Sequence, residues 1–233
     1  MPPPGDIAER YLQIIRRIEE ACHRSGRRPE EVVLVGASKT QPAEVLAEAW
    51  RAGLRVFGEN RVQEAVAKSG ELTSYAIDWH LIGPLQSNKV KPALDLFRTV
   101  HSIDRPRIAE ALDREAGRRG LRISGLLEVN LGNEESKHGF SPDGLAEAVR
   151  PLAGLEHLKI VGLMAIPPQA DDPESSRPWF RRLRELRDEL GARPEWPGFP
   201  GWLSMGMSHD FEVAVEEGAT HVRVGTSLFG ARG

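Results

Sequence analysis

Short apolar runs alternate along the chain with longer stretches in which apolar residues return every three or four positions. The run Val32-Val33-Leu34-Val35-Gly36-Ala37 is largely β-branched and reads as a buried strand. Similar runs follow at 54–58, 79–83, 97–101, 123–130, 158–164, 201–205 and 221–225. Helical spacing fills the intervals at 42–52, 60–69, 86–93, 105–119, 142–152, 174–190 and 208–217. Pro42 and Pro142 stand where a first-turn proline is tolerated, and Gly53, Gly120, Gly191 and Gly218 stand where helices stop. Ahead of the first strand, Ile7, Tyr11, Ile14, Ile15 and Ile18 form one face of an amphipathic helix whose other face carries Glu9, Arg10, Arg16, Arg17 and Glu19.

Eight strand-then-helix units predict an α/β chain folded as a single (β/α)8 barrel of the TIM type, with an extra N-terminal helix. An open doubly wound sheet gives a similar string. The barrel is preferred because no glycine-rich dinucleotide fingerprint follows the first strand and no second domain is left to form a cleft. On this reading residues 1–233 make one domain, 1–5 are flexible, and the Pro-, Asp- and Ser-rich stretch 167–178 is a mobile loop beyond strand six.

Length and charge narrow the classes. The 233 residues suit a barrel of about 250 residues. With 40% hydrophobic residues, 28% charged residues and a net charge of -3, the chain reads as a soluble globular protein, and neither nucleic acid nor a membrane surface is an expected partner. Cys22 alone allows no internal disulfide and no cysteine-built metal site, and within the first helix it reads as a small buried residue. No apolar run approaches the roughly 20 residues that span a bilayer, and the Met-Pro-Pro-Pro-Gly start lacks the pattern of a secretory signal. A cytoplasmic monomer is the expectation.

Chemistry collects at the carboxyl ends of barrel strands, and the first strand ends in Lys39. A part-shielded amine there can attack a carbonyl, although lysines at strand ends are commonly just solvated. The segment is not a phosphate-binding loop, because Ala37 and Ser38 stand where the second glycine should be. Near the other end, Ser204 on strand seven and Gly225, Thr226 and Ser227 after strand eight offer hydroxyls and a close backbone approach for an oxyanion, with Ser208 placed as a helix N-cap. Small hydroxylated residues also form plain turns. If Val222 and Val224 face the helices, Arg223 points into the barrel mouth, where it needs an acceptor: a protein carboxylate such as Glu59 or Glu128, or a ligand atom. Lysine on strand one, arginine on strand eight and a phosphate site beside it together suggest pyridoxal phosphate, with its aldehyde as an imine on Lys39 and its ring nitrogen accepting from Arg223.

The strings Val35-Gly36-Ala37-Ser38-Lys39-Thr40, Phe57-Gly58-Glu59-Asn60, Trp79-His80-Leu81-Ile82-Gly83-Pro84-Leu85-Gln86-Ser87-Asn88-Lys89, Gly162-Leu163-Met164-Ala165-Ile166-Pro167, Leu203-Ser204-Met205-Gly206-Met207-Ser208 and Val222-Arg223-Val224-Gly225-Thr226-Ser227-Leu228-Phe229-Gly230 carry a resemblance. The chain resembles the pyridoxal phosphate homeostasis protein family, single-domain relatives of the N-terminal barrel of alanine racemase, from about Val32 to Arg232. The Ser136-Lys137-His138-Gly139 string keeps that family's Ser-Lys-x-Gly pattern. The resemblance implies Lys39 as the imine lysine, Arg223 at the pyridine nitrogen, Ser204, Gly225 and Thr226 at the phosphate, and Asn60 near the cofactor.

It also implies management of the cofactor pool rather than catalysis, with PLP-dependent apoenzymes as recipients. A racemase needs two acid-base groups. The tyrosine that alanine racemases use comes from a C-terminal domain for which this sequence leaves no room, and Tyr11 and Tyr75 lie at no expected strand end. An arginine at the ring nitrogen also makes the ring a weaker electron sink than an aspartate partner would. The alternatives are a weak amino-acid racemase or lyase, and a barrel hydrolase or aldolase using Lys39 on a sugar phosphate. The seven histidines show no ligand spacing with a third partner, so no catalytic metal is expected.

Overall fold

The computed structural model describes residues 6–134, 138–168 and 170–230. Segment 1–5, expected to be flexible, and Ser136 and Lys137 of the Ser-Lys-x-Gly string lie outside the described residues. Strands β1 (Val33–Ala37), β2 (Val56–Glu59), β3 (Asp78–Leu81), β4 (Thr99–Ile103), β5 (Ile123–Glu128), β6 (Leu158–Met164), β7 (Trp202–Met207) and β8 (His221–Val224) form a closed parallel barrel in sequence order. Closure pairs β8 with β1, setting Val35 opposite Arg223 and Gly36 opposite Val224. The expected (β/α)8 barrel is therefore formed. A doubly wound sheet, whose strand order reverses at a switch point, is excluded.

Outside the strands lie α1 (Ile7–Arg24), α2 (Ala43–Ala52), α3 (Val62–Glu71), α4 (Val90–Leu96), α5 (Pro106–Arg118), α6 (Leu145–Val149), α7 (Arg177–Gly191), α8 (Phe211–Glu216) and the single turn α9 (Thr226–Phe229). The extra helix α1 starts where Asp6 caps it, its carboxylate accepting from Glu9 N at 2.8 Å, and it buries Ile7, Ile14, Ile18, Ala21 and Cys22. Several boundaries differ from the sequence reading. The helix expected at 142–152 is divided, because Gly144 adopts a left-handed φ of 78° and Arg150–Gly154 tighten into a 3-10 turn after α6. Much of 167–178 is likewise ordered: Pro173–Ser176 form a 3-10 turn that runs into α7. Ser208 does not cap α8. Asp210 takes that position and turns its carboxylate back to accept from Met207 N at 2.8 Å.

Two buried layers result. Between strands and helices, Leu34, Leu81, Val100, Leu203, Val222 and Val224 meet Leu46, Phe57, Phe97, Phe180 and Phe211 in one large apolar cluster. Inside the barrel the apolar content is smaller: Val35, set opposite Arg223, and a cluster of Leu126, Val161 and Met164 with Trp202 packed against it. The rest of that interior includes His80, His101, Ser204, His221 and Arg223, none more than 4% exposed. The alternation of side chains along a strand produces the contrast.

Candidate functional site

Lys39 lies two residues beyond the end of β1, exposed, and its ammonium makes no hydrogen bond or ion pair among the described residues. The next residue, Thr40, has a left-handed φ of 64°, an uncommon setting for a side chain with two heavy atoms on Cβ. Beneath Lys39 the backbone is braced. Lys68 of α3 donates to the Ser38 carbonyl at 2.8 Å and to Glu59 Oε1 at 2.7 Å, while the Ser38 hydroxyl donates to the same carboxylate oxygen at 2.7 Å. Ser38 and Glu59 are fully buried. The pair ties the ends of β1 and β2 together and restrains the strand end from which Lys39 departs. Lys68 was not among the residues expected from the sequence.

Arg223 points into the barrel interior, donating from Nη1 to Ser204 Oγ at 2.6 Å and from Nη2 to the Ala165 carbonyl at 3.0 Å. Neither Glu59 nor Glu128, considered above as acceptors, bonds it directly. Burial pulls the guanidinium down to about 10, opposed by the nearby carboxylates of Glu128 and Asp210, so it remains charged at neutral pH. Glu128 is itself pushed up, by burial first and then by Asp104.

Ser204 requires a correction. Expected to donate to an oxyanion at the mouth, its hydroxyl is 0% exposed and is engaged by Arg223 on one side and His101 Nδ1, at 2.8 Å, on the other. It faces inward because β7 places it on the interior side, between Leu203 and Met205 of the outer cluster. The hydroxyl in the loop region is that of Ser208. Its Oγ accepts from Gly225 N at 3.2 Å and Ser227 N at 3.3 Å, and Ser227 Oγ donates to the Ser208 carbonyl at 3.3 Å. Two main-chain amides thus converge on one oxygen, an arrangement that an oxyanion can also satisfy. Thr226 is exposed at the first position of α9.

Two glycines make the close packing possible. A Cβ on Gly225 would lie 3.2 Å from the Ala37 carbonyl, so the end of β8 rests directly on the end of β1. Gly206 has a φ of +89°, and a Cβ there would meet Ala214 at 2.5 Å. Lys39, Arg223, Gly225, Thr226 and Ser208 accordingly sit on or just beyond three consecutive strands. Asn60 follows β2, half-buried, and opens into a cavity of about 630 Å³ with Gln86, Lys89, Asp104, Arg105 and His138. None of the other five expected residues lines that cavity.

The polar set inside the barrel is what sequence reasoning missed. His80 bonds His101, with Nδ1 2.9 Å from Nε2, and His80 Nε2 lies 3.3 Å from Asp78 Oδ2. A usable signal was present for part of the set, since His80, Ser204 and Arg223 are each flanked on both sides by apolar strand residues. Among the described residues, no group of three or more His, Cys, Asp or Glu side chains is arranged to hold a metal ion, and no helix is long and apolar enough to cross a membrane.

Comparison with known proteins places this geometry. The family model for the N-terminal domain of alanine racemase matches residues 13–233. The pyridoxal phosphate homeostasis protein of Aquifex aeolicus is 48% identical over 227 residues, covering 97% of this chain and 99% of that one. Its namesake in Pseudomonas aeruginosa is 45% identical over 228 residues, covering 97% and 96%. Among solved structures, Synechococcus elongatus PipY with PLP bound superposes with a TM-score of 0.84 at 41% identity, covering 97% of this chain and 100% of that one. The alanine racemase of Corynebacterium glutamicum shares the fold at 17% identity and a TM-score of 0.69, over 97% of this chain and 61% of the racemase.

Proposed function

The chain belongs to the alanine racemase N-terminal domain family, and from that premise we propose that it is a single-domain pyridoxal phosphate-binding protein of intracellular cofactor homeostasis. It holds the cofactor through Lys39 and passes it on to PLP-dependent apoenzymes, working as a cytoplasmic monomer. When bound, the group supplies a reactive aldehyde and an electron-withdrawing ring. The residues present fit it. Lys39 offers an amine that bonds no partner among the described residues, Arg223 offers a guanidinium already fixed by Ser204 and Ala165, and the amides of Gly225 and Ser227, which converge on Ser208 Oγ in this structure, would serve a phosphate there. Thr226 stands at the same turn, and Asn60 borders the site from the β2 side. The observation that carries the reading is the closure of β8 on β1, which sets the strand leading to Lys39 beside the strand that carries Arg223.

Each residue has a physical task. Lys39 would hold the aldehyde end of the cofactor, while the Lys68–Glu59 pair holds its strand end in place. Arg223, which remains charged, would donate to the ring nitrogen, and such a partner would leave that nitrogen unprotonated and limit the ring's power to stabilise a carbanion. Neither tyrosine is placed to serve as the second acid-base group. Tyr75 accepts from Arg51 on the outside of the barrel at 2.6 Å, and Tyr11 of α1 packs where a Cβ on Gly53 would meet it at 2.9 Å. Binding without efficient turnover is the reading that the arginine and the placement of the two tyrosines favour.

The test is a transfer experiment. Protein loaded with PLP and incubated with a PLP-free aminotransferase is expected to restore its activity, and the same protein with L-alanine is expected to yield no D-alanine above the level given by free PLP. Racemisation at enzymatic rates would replace the carrier reading with the racemase alternative.

A further inference from the structure

The hydrogen bonds inside the barrel form one unbroken series: Arg223 Nη1 to Ser204 Oγ at 2.6 Å, Ser204 Oγ to His101 Nδ1 at 2.8 Å, His101 Nε2 to His80 Nδ1 at 2.9 Å, and His80 Nε2 to Asp78 Oδ2 at 3.3 Å. Donor and acceptor roles follow by elimination. A guanidinium only donates, so Ser204 Oγ accepts from Arg223, and the hydroxyl proton must go to the remaining partner, His101 Nδ1. His101 then carries its proton on Nε2 and donates to His80 Nδ1. His80 in turn carries its proton on Nε2 and donates to the Asp78 carboxylate. Every buried polar atom in the series is satisfied in this direction with both imidazoles neutral.

The series runs the length of the barrel. Arg223 is at the carboxyl-terminal side, whereas Asp78, 59% exposed, opens at the amino-terminal mouth into a cavity of about 670 Å³. We infer that His80 and His101 are positioning residues for Arg223, and that a proton taken up at His80 reverses the series and loosens the guanidinium assigned to the cofactor's ring nitrogen. This rests on the cofactor reading above. The balance is one proton gained and none lost. Protonated His80 donates from both nitrogens, His101 accepts at Nε2 and moves its own proton to Nδ1, and Ser204 Oγ receives two donors, leaving its hydroxyl proton without an acceptor in the buried interior.

The surroundings select His80 as the point of entry. Asp78 flanks it, and its carboxyl is held below the usual range, chiefly by the bond from His80. His101 is kept neutral by burial, reinforced by His80, His221 and Arg223. His221, with its ring 6.0 Å from that of His80, is pulled down to about 3 by burial and by His80 and Arg223, against Asp78. From the amino-terminal mouth, Arg27, Glu30, Glu31 and Arg187 face the same cavity. His80 is therefore the imidazole beside which a carboxylate stands ready to pair with a cation.

His80→Gln separates the roles, because a glutamine can accept from His101 and donate to Asp78 but cannot take up a proton. The dissociation constant of PLP is measured for both full-length proteins at about pH 8 and about pH 5. The expected result is a rise on acidification that is larger by about tenfold in the wild type than in His80→Gln. Equal ratios would overturn the inference. Acid effects on the Lys39 linkage and on the phosphate cancel in that comparison. A second readout guards against a poorly folded variant: imidazole nitrogen shifts of the wild type should show His101 changing from the Nε2–H to the Nδ1–H form as the pH falls. A His101 that keeps one tautomer throughout would equally overturn it. Failure of PLP to attach to Lys39 at about pH 8 is a different outcome, which removes the cofactor reading itself.

Discussion

The two buried layers of this barrel are made of different matter. Outside the strands, Phe57, Phe97, Phe180 and Phe211 pack with leucines and valines in a continuous apolar cluster. Inside, a few apolar side chains, Val35, Leu126, Val161 and Met164 among them, share the space with imidazoles, a hydroxyl and a guanidinium. Burying apolar surface stabilises the fold, whereas burying a charge such as Arg223 costs free energy that its two hydrogen bonds only partly return. The outer layer therefore holds the barrel closed, and the interior uses part of that stability to keep a cation and a hydrogen-bonded series in fixed orientation under the mouth.

Substitution of each layer should separate stability from binding. Phe180→Ala, in the outer layer, is expected to lower the unfolding free energy by about 3–5 kcal/mol in urea titrations. The folded fraction should still bind PLP. A loss below about 1 kcal/mol would mean that the outer layer does not hold the fold. Arg223→Met should behave in the opposite way: PLP affinity falls by about tenfold or more, while unfolding free energy stays within about 1 kcal/mol of the wild type or rises. Unchanged affinity would detach Arg223 from the site.

Acid should act on the interior first. His101 and His221 are neutral in the folded barrel, the latter with its value pulled down to about 3, and both take up protons once unfolded. The unfolded chain then binds more protons below about pH 6.5, so stability present above that pH is lost as the pH falls toward about 3. Urea midpoints of the PLP-free protein should follow this course and flatten in His221→Asn. A wild-type midpoint independent of pH across the window would contradict the neutral assignment. The smallest effect belongs to the surface, where Arg182, 40% exposed, reaches Glu185 at 3.4 Å and Glu189 at 3.0 Å. Arg182→Ala should cost about 0.5 kcal/mol or less, and that little should disappear at high salt.

The same contrast governs what could be read from sequence. Outer-layer residues announce their strands, because Leu34, or Ile160 and Leu163, lie within short apolar runs, and eight such runs in order, with no dinucleotide fingerprint after the first, favour the barrel over an open sheet. The interior did not announce itself. A histidine on a strand looks the same whether it faces water or the axis of a barrel, so the sequence does not mark His80 and His101 as interior, and a serine such as Ser204 reads equally well as a residue of the mouth. Helix ends were lost for local reasons: Gly144 in a left-handed conformation delays α6, and Asp210 displaces Ser208 from the cap of α8. Arg223 was the exception. The two valines flanking it forced it inward, and an inward guanidinium demands an explanation.

The central claim is that Lys39 and Arg223, brought together by the pairing of β8 with β1, hold one molecule of PLP between them. Borohydride reduction of the loaded protein followed by peptide mass mapping tests it most directly. The expected result is a single reduced adduct on the peptide containing Lys39, with its yield at limiting PLP lowered in Arg223→Met. An adduct on another lysine, Lys68 or Lys89 for example, with Lys39 unmodified, would contradict the assignment.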